Sequence, residues 1–226
     1  MKLLEDRIRQ DGQIIGTDIL KVDMFLNHQI DVNLLDEMGK EFYRLFKDKG
    51  INKILTVESS GIAIAVMAAK YFNVPVVFAK KSNHKNVGND VFKAQSHSFT
   101  HGKDYEMIVS KKYLSENDNI LFIDDFLAGG NAAFSILDIL KQSKANLVGI
   151  GIAIEKGFQD GGKKLREMGI DVQSLAIVQE MDEAKGISFK NWKLKIESWK
   201  LRKPYGLDCI NYKIIGLNCY GKWYWR

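Results

Sequence analysis

The alternation of short apolar runs with helical patterns limits the fold of this chain more than any other feature of its sequence. Apolar residues recur at a spacing near 3.6 in segments 34–46 and 132–140, and segment 61–72 is apolar nearly all round. This alternation predicts a mainly parallel, doubly wound α/β sheet flanked by helices, whose ligands bind beyond the carboxyl ends of the strands. The apolar runs, each with the length and composition of a buried strand, lie at residues 53–57, 74–79, 106–110, 119–124, 146–154 and 171–177.

The composition of the 226 residues is that of an ordinary globular protein, with 46% hydrophobic and 27% charged residues. No apolar run approaches the ~18 residues of a membrane span. The N-terminal MKLLEDRIRQDG lacks the apolar core of a secretory signal, so we expect a cytoplasmic protein. The net charge of +5 favours anionic ligands but, without a basic face, indicates no nucleic-acid partner. Cys209 and Cys219 form neither a disulfide framework nor a CxxC metal site.

Two adjacent acids lie at the end of the predicted strand 119–124, and a small-residue turn comes after them, in the segment NILFIDDFLAGGNAA. Asp124 and Asp125 can each accept hydrogen bonds from the hydroxyls of a ribose diol. The next residues let the backbone approach an anion at the start of a helix, and they are Ala128, Gly129, Gly130, Asn131 and Ala132. The segment therefore predicts a ribose 5-phosphate site. The alternative is a loop with two solvated acids and a glycine cap.

The string FIDDFLAGGNA resembles the phosphoribosyl-pyrophosphate signature of the type I phosphoribosyltransferase family. Five further segments are similar to the xanthine-specific branch of that family in bacterial purine salvage: LKVDMFLNHQID, VESSGIA, VVFAKK, SHSFT and GIGIAIEKGFQ. The resemblance covers residues 1–190 and leaves 191–226 as an atypical tail without an assigned role. It implies a mainly parallel twisted sheet flanked by helices, a small N-terminal hood, and a mobile loop near 94–103.

The resemblance also implies a role for each candidate site residue. Asp124 and Asp125, the expected catalytic residues, would hold the ribose hydroxyls, and residues 128–132 would bind the 5-phosphate. Lys156 would donate to an oxo group of the base, which favours 6-oxopurines over adenine. The base would also contact Leu20 and Asn27, and the pyrophosphate would contact Glu58, Ser59, Ser60, Gly61 and Lys81 or its neighbour Lys80. Mg²⁺ would be chelated mainly by phosphoribosyl pyrophosphate, with no metal-ligating residue expected in the chain.

The implied reaction transfers the 5-phosphoribosyl group from phosphoribosyl pyrophosphate to N9 of xanthine, in a homodimer without nucleic-acid or membrane partners. A phosphoribosyltransferase for hypoxanthine and guanine, or for adenine, is an alternative that the LNHQID and IEK segments disfavour. A purine-sensing DNA-binding regulator on the same fold is another, but no helix-turn-helix pattern precedes the first predicted sheet strand. A receiver-like phosphoacceptor domain would explain neither the glycine turn nor ESSG. No general base is assigned. The tail is compatible with a lineage-specific extension, an interface element or a frame-shifted read-through.

Overall fold

The computed structural model describes residues 1–82, 90–98 and 103–190. The α-helices of this part of the chain are α1 (Lys2–Asp11), α2 (Val32–Phe46), α3 (Ser60–Phe72), α4 (Asn131–Ser143) and α5 (Gly161–Glu167). Its strands are β1 (Gln13–Ile15), β2 (Ile19–Lys21), β3 (Lys53–Val57), β4 (Val76–Ser82), β5 (Val91–Ser98), β6 (Lys103–Ser110), β7 (Asn119–Leu127), β8 (Asn146–Lys156), β9 (Val172–Asp182) and β10 (Gly186–Phe189). The predicted tail, 191–226, lies outside the described residues.

Eight strands form one mixed sheet in the order β10-β9-β8-β7-β3-β4-β6-β5. The five central strands, β9, β8, β7, β3 and β4, pair in parallel, while β10 at one end and β6 and β5 at the other pair antiparallel. The predicted mainly parallel sheet is confirmed. Because the parallel strands end at the same edge, residues after β3, β4, β7 and β8 come together there.

The helices cover both faces of this sheet, as a doubly wound fold requires. On one face, α1, α2 and α3 bury a core that includes Leu35, Phe42 and Ile64, and on the other face α4 and α5 bury Ile139 and Leu165. α2 approaches α3 so closely that a Cβ at Gly39 would lie 2.7 Å from the Met67 carbonyl oxygen. In the described part of the chain, no helix has the length and apolar character required to cross a bilayer.

The N-terminal hood consists of α1, the β1–β2 hairpin and a π-helical turn at Asp23–Asn27. Leu4, Leu20 and Phe25 of this segment are buried in the same core as α2 and α3. The turn between β1 and β2 is tied to the sheet because Gly16 and Glu183 exchange hydrogen bonds, with the Glu183 N–H donating to the Gly16 carbonyl at 3.1 Å. The hood is therefore held near the carboxyl ends of β8 and β9.

The segment predicted as a mobile loop near 94–103 begins as a strand, because residues 94–98 belong to β5. This strand pairs with β6 along its whole length, and the Ala94 side chain is buried opposite Met107. The polar residues of β5 alternate with Phe92 and Ala94 across the strand, so a half-buried edge strand resembles a loop in composition. Residues 83–89 and 99–102 lie outside the described residues.

Candidate active site

Asp125, predicted to lie just beyond the strand that ends at Asp124, lies with Asp124 inside β7. The strand continues to Leu127 because its parallel pairing with β8 continues, with Phe126 opposite Ile154. The Asp125 N–H donates to Asp124 Oδ1 at 3.1 Å, and the Asp124 side chain is only 7% exposed. Both acids line a cavity of about 210 Å³ at the carboxyl edge of the sheet. The predicted strand end was therefore misplaced, but the acids still face a cavity.

Burial raises the pKa of Asp124 well above its ordinary value, and the neighbouring Asp125 raises it further. Burial also raises the pKa of Asp125, against the effect of a hydrogen bond from the Phe126 backbone. The Lys81 charge opposes both shifts. Burial therefore opposes ionisation of the pair, and hydroxyl donors from a ligand would stabilise its ionised form.

These shifts predict a specific pH dependence of stability. The folded chain binds protons at the acid pair more tightly than the unfolded chain, in which an aspartate has a pKa of about 3.9. The free energy of unfolding should therefore fall as the pH rises above about 4, toward the raised pKa values. Urea unfolding of the wild type and of D124N/D125N at several pH values isolates this contribution. If the free energy of unfolding of the wild type rose with pH relative to that of the variant, the result would contradict the raised pKa values of the two acids.

The cavity brings together predicted residues from four parts of the chain. Glu58, Ser60 and Gly61 come from the junction between β3 and α3, Lys81 from β4, and Ala132 from the start of α4. Val57, Tyr105 and Phe126 complete the lining. The acid pair and predicted residues of the pyrophosphate and phosphate sites thus share one cavity, whereas Ser59 and residues 128–131 are not part of its lining.

Of the two lysines near the end of β4, the structure places Lys81 at the cavity. The Lys81 ammonium lies 5.6 Å from the centre of the Tyr105 ring, whereas Lys80 lies over Phe78 and lines a different groove. Successive residues of a strand point to opposite faces, which separates the two side chains. The sequence could not choose between them because both follow the same apolar run.

The Glu58–Ser59 peptide bond, which is cis, begins the predicted pyrophosphate loop. The Glu58 N–H donates to the Ala79 carbonyl at 3.0 Å, and Glu58 Oε1 accepts a hydrogen bond from the Lys81 N–H at 2.6 Å. The side chain of Ser59 is exposed immediately before α3 begins at Ser60. The loop is therefore held by β4 while its serine hydroxyls stay near the helix N-terminus.

Gly61 allows α3 to approach the acid pair. A Cβ at this position would overlap Thr56 Oγ1 and lie 3.0 Å from Asp124 Oδ1. Thr56 is fully buried, and its hydroxyl has no hydrogen-bond partner among the described residues. Sequence analysis did not identify Thr56, because a threonine in a strand is ordinary and only the packing of Gly61 places it beside Asp124.

Replacing Thr56 by valine, which has the same shape, should raise the free energy of unfolding by about 1 kcal/mol, because an unpaired buried hydroxyl costs roughly 1–3 kcal/mol. Urea unfolding measures this change. Ser135→Ala is the matched control, since the Ser135 hydroxyl lies within hydrogen-bond distance of two acceptors, the carbonyls of Gln95 and Asn131 at 3.0 and 2.9 Å, and its loss should destabilise. A destabilised Thr56→Val variant would show that the hydroxyl is satisfied in solution.

The predicted phosphate turn, Ala128–Gly129–Gly130–Asn131–Ala132, leads into α4. Gly130 adopts φ of 89°, a left-handed conformation that favours glycine. The Ala128 carbonyl accepts a hydrogen bond from the Gly161 N–H at 3.1 Å, and the Gly130 carbonyl accepts one from the Phe134 N–H at 2.9 Å. With these carbonyls engaged by the protein, the turn is suited to present amides to an anion at the helix N-terminus.

The predicted base-binding residues are less closely grouped. Lys156, half-buried at the end of β8, donates to the Asp18 carbonyl of the hood at 2.5 Å, and burial lowers the pKa of its ammonium. Leu20 follows in the same hairpin, but its side chain is packed in the core, only 7% exposed. The Asn27 side chain is exposed at the end of the π-helical turn. The structure thus links Lys156 to the hairpin of Leu20 through Asp18.

An ion pair with a buried carboxylate, which the sequence did not predict, lies next to Lys156. Glu155 is 4% exposed and accepts two parallel hydrogen bonds from Arg166, each of 2.7 Å, and another from the Ser174 hydroxyl. Burial acts to raise the pKa of Glu155, but the bonds from Arg166 and Ser174 outweigh it and hold the pKa below its ordinary value. The only sequence signal was the glutamate of the IEK segment, because the pairing with α5 depends on the fold.

The chain is similar to known proteins in sequence and in structure. Residues 21–183 match the phosphoribosyl transferase domain family. A xanthine phosphoribosyltransferase of Ruminiclostridium cellulolyticum is 59% identical over 82% of this chain and 97% of its own length. The xanthine phosphoribosyltransferases of Clostridium novyi and Clostridioides difficile are 54% and 52% identical, over 84% and 80% of this chain and 100% and 96% of their own lengths.

Among solved structures, the adenine phosphoribosyltransferase of Thermoanaerobacter pseudethanolicus superposes with a TM-score of 0.62 at 18% identity, covering 77% of this chain and 98% of that chain. The adenine phosphoribosyltransferase of Saccharomyces cerevisiae also superposes with a TM-score of 0.62, at 21% identity, covering 77% of this chain and 99% of that chain. At such identities the likeness establishes the type I fold alone.

Proposed function

Because the chain belongs to the phosphoribosyltransferase family, we propose that it transfers the 5-phosphoribosyl group from phosphoribosyl pyrophosphate to N9 of xanthine. The products are xanthosine 5′-monophosphate and pyrophosphate, and the enzyme is a pentosyltransferase of purine salvage. The observation that carries this proposal is the shared cavity edge of the Asp124–Asp125 pair, the Glu58–Gly61 junction and Ala132 of the phosphate turn. The choice of xanthine as the base rests on the xanthine phosphoribosyltransferases that are 52–59% identical to this chain.

In this proposal the acid pair binds the ribose and the turn binds its phosphate. Asp124 and Asp125 accept hydrogen bonds from the ribose hydroxyls, which stabilise the ionised form of the buried pair. The amides of residues 128–132 hold the 5-phosphate at the N-terminus of α4, where the helix dipole favours an anion. These contacts fix the sugar in one orientation relative to both reaction partners.

The Glu58–Gly61 junction and Lys81 bind the pyrophosphate on the opposite side of the sugar. Ser59 and Ser60 donate hydroxyl hydrogen bonds, and Lys81 places a positive charge beside the leaving group. Mg²⁺, chelated mainly by the substrate, would supply further positive charge, and the carboxylate oxygens of Glu58 and Asp125 in the cavity are hard ligands that fit this ion. In the described residues, no group of three or more histidine, cysteine or acidic side chains is placed to hold a metal by itself.

The base enters between the sheet edge and the hood. Lys156 exchanges its contact with the Asp18 carbonyl for an oxo group of xanthine, while Asn27 and the hairpin of Leu20 complete the pocket from the hood. Transfer passes through a state with positive charge on the sugar, which the ionised acid pair stabilises. The protein therefore acts by positioning, and we assign no general base.

The test is an initial-rate assay with phosphoribosyl pyrophosphate, Mg²⁺ and one of four bases: xanthine, guanine, hypoxanthine or adenine. We expect xanthosine 5′-monophosphate as the product and the highest kcat/KM with xanthine. A preference for guanine or hypoxanthine would show that the proposed base is wrong and that the proposed phosphoribosyl transfer is right. Binding of a purine without any nucleotide product would instead favour a regulator built on this fold.

We also propose that the enzyme is a cytoplasmic homodimer. Support for the dimer comes from a groove of about 500 Å³ with an apolar floor, beside which the side chains of Phe78 and Tyr113 are 39% and 59% exposed. Support for the compartment comes from the substrate, because a multiply charged phosphorylated sugar does not cross a bilayer unaided. Sedimentation analysis of the full chain and fractionation of the source cells test the two statements separately.

A further inference from the structure

The Glu155–Arg166 ion pair takes no part in the chemistry proposed above, although its buried carboxylate, Glu155, lies between two parts of the proposed site. In the β7–β8 pairing Glu155 is opposite Leu127, the residue before the phosphate turn, and along the chain it precedes Lys156. Its carboxylate points toward α5, where both oxygens accept bonds from the Arg166 guanidinium. A buried carboxylate with this bidentate partner has a fixed position.

Two consecutive glycines connect this ion pair to the phosphate turn. A Cβ at Gly162 would overlap Glu155 Oε1 and lie 2.7 Å from Arg166 Nη1, so the ion pair packs directly under the first turn of α5. A Cβ at Gly161 would overlap the Ala128 carbonyl oxygen and lie 2.7 Å from the Gly130 nitrogen. The first turn of α5 is therefore in contact with the ion pair on one side and with the phosphate turn on the other.

The contact with the turn is also a hydrogen bond, from the Gly161 N–H to the Ala128 carbonyl at 3.1 Å. If α5 shifted, this carbonyl would lose its partner and the peptide groups of Ala128–Gly130 would be free to rotate. Rotation would redirect the amides that bind the phosphate. The position of α5 thus controls the geometry of a turn to which α5 contributes no ligand.

We infer that Glu155 and Arg166 are positioning residues: they hold α5 so that Gly161 keeps the phosphate turn in its anion-binding geometry. The inference rests on the proposed function, because it takes residues 128–132 to bind the 5-phosphate. It assigns the ion pair to recognition of the sugar phosphate and not to the base, although Glu155 adjoins Lys156. Loss of the pair should raise KM for phosphoribosyl pyrophosphate and leave KM for xanthine and kcat nearly unchanged.

Glu155→Gln tests this inference, with Asp118→Asn as a matched control. Asp118 is also a buried carboxylate, with the Lys53 ammonium 2.7 Å away, but it lies at the opposite, amino-terminal edge of the sheet. Both changes replace a carboxylate by its amide and should lower thermal stability. Calorimetric titration with ribose 5-phosphate should show affinity weakened about tenfold or more for Glu155→Gln and within about twofold of wild type for Asp118→Asn.

Equal affinities of Glu155→Gln and the wild type, or equal losses in Glu155→Gln and Asp118→Asn, would overturn the inference. Should Glu155→Gln fail to fold, Arg166→Lys decides in the same way, since it keeps the charge but loses the two parallel bonds. A wild-type chain that does not bind ribose 5-phosphate overturns the proposed function together with the inference. A wild type that binds it, with Glu155→Gln unaffected, overturns the inference alone.

Discussion

Replacing Asp124 and Asp125 together by asparagine is expected to lower kcat/KM for xanthosine 5′-monophosphate synthesis by roughly a thousandfold. Asparagine keeps the size of each side chain, but it removes the negative charge that faces the sugar and turns half of each acceptor group into a donor. The ribose would lose two charge-assisted hydrogen bonds, and the positive charge that develops during transfer would lose its nearest counter-charge. Initial rates with saturating xanthine and varied phosphoribosyl pyrophosphate measure the effect.

The same variant should be at least as stable as the wild type at neutral pH, because the buried pair resists ionisation. Activity and stability should therefore change in opposite directions, which a general folding defect cannot produce. Asp138→Asn is the control, since Asp138 lies exposed on α4 and should leave both quantities unchanged. An inactive but destabilised double variant would indicate that the acids hold the fold together and would weaken their assignment to the ribose.

Replacing Lys156 by methionine is expected to raise KM for xanthine about a hundredfold, which corresponds to ~2.7 kcal/mol of binding free energy. Methionine fills a similar volume but cannot donate to an oxo group. The charge-assisted bond to the base disappears, while the sugar, phosphate and pyrophosphate contacts stay. We therefore expect KM for phosphoribosyl pyrophosphate to change by no more than about twofold, and the preference for xanthine over adenine to fall by a factor similar to the rise in KM.

Lys163→Met is the matched control for this change, because Lys163 is an exposed lysine on α5 whose Glu167 partner lies 3.9 Å away. It should leave both Michaelis constants at their wild-type values. A Lys156→Met enzyme that still prefers xanthine over adenine would place the recognition of the oxo group on another residue of the hood or the sheet edge.

The elements that could be predicted from sequence are those with an unambiguous apolar period. β3 occupies the predicted residues 53–57, and α2 follows the predicted stripe of buried side chains. Short or polar elements were missed: β1 and β2 have three residues each, and α1 buries only Leu4 and Ile8. Such segments are specified by what they pack against, which a single sequence does not display.

The residues of the candidate site also divide into those that could be predicted from sequence and those that could not. The acid pair, the glycine turn and the ESSG segment could be proposed from sequence because their chemistry is local and contiguous, and their likeness to the family signature gave each an expected role. Thr56 and Arg166 were not found, because each depends on a contact made between distant segments, with Gly61 and with Glu155. The choice between Lys80 and Lys81 depended on which face of β4 each side chain points to. Local chemistry was thus predictable, whereas its supporting contacts were not.

The proposed function depends most on where the sugar phosphate binds. A crystal structure of the full chain with ribose 5-phosphate tests this position directly. We expect the two ring hydroxyl oxygens within about 2.6–3.2 Å of the carboxylates of Asp124 and Asp125, and the phosphate on the amides of residues 129–132. Ribose 5-phosphate bound instead in the cavity of about 430 Å³ beside Lys163 and Arg166, with the acid pair free, would contradict the account.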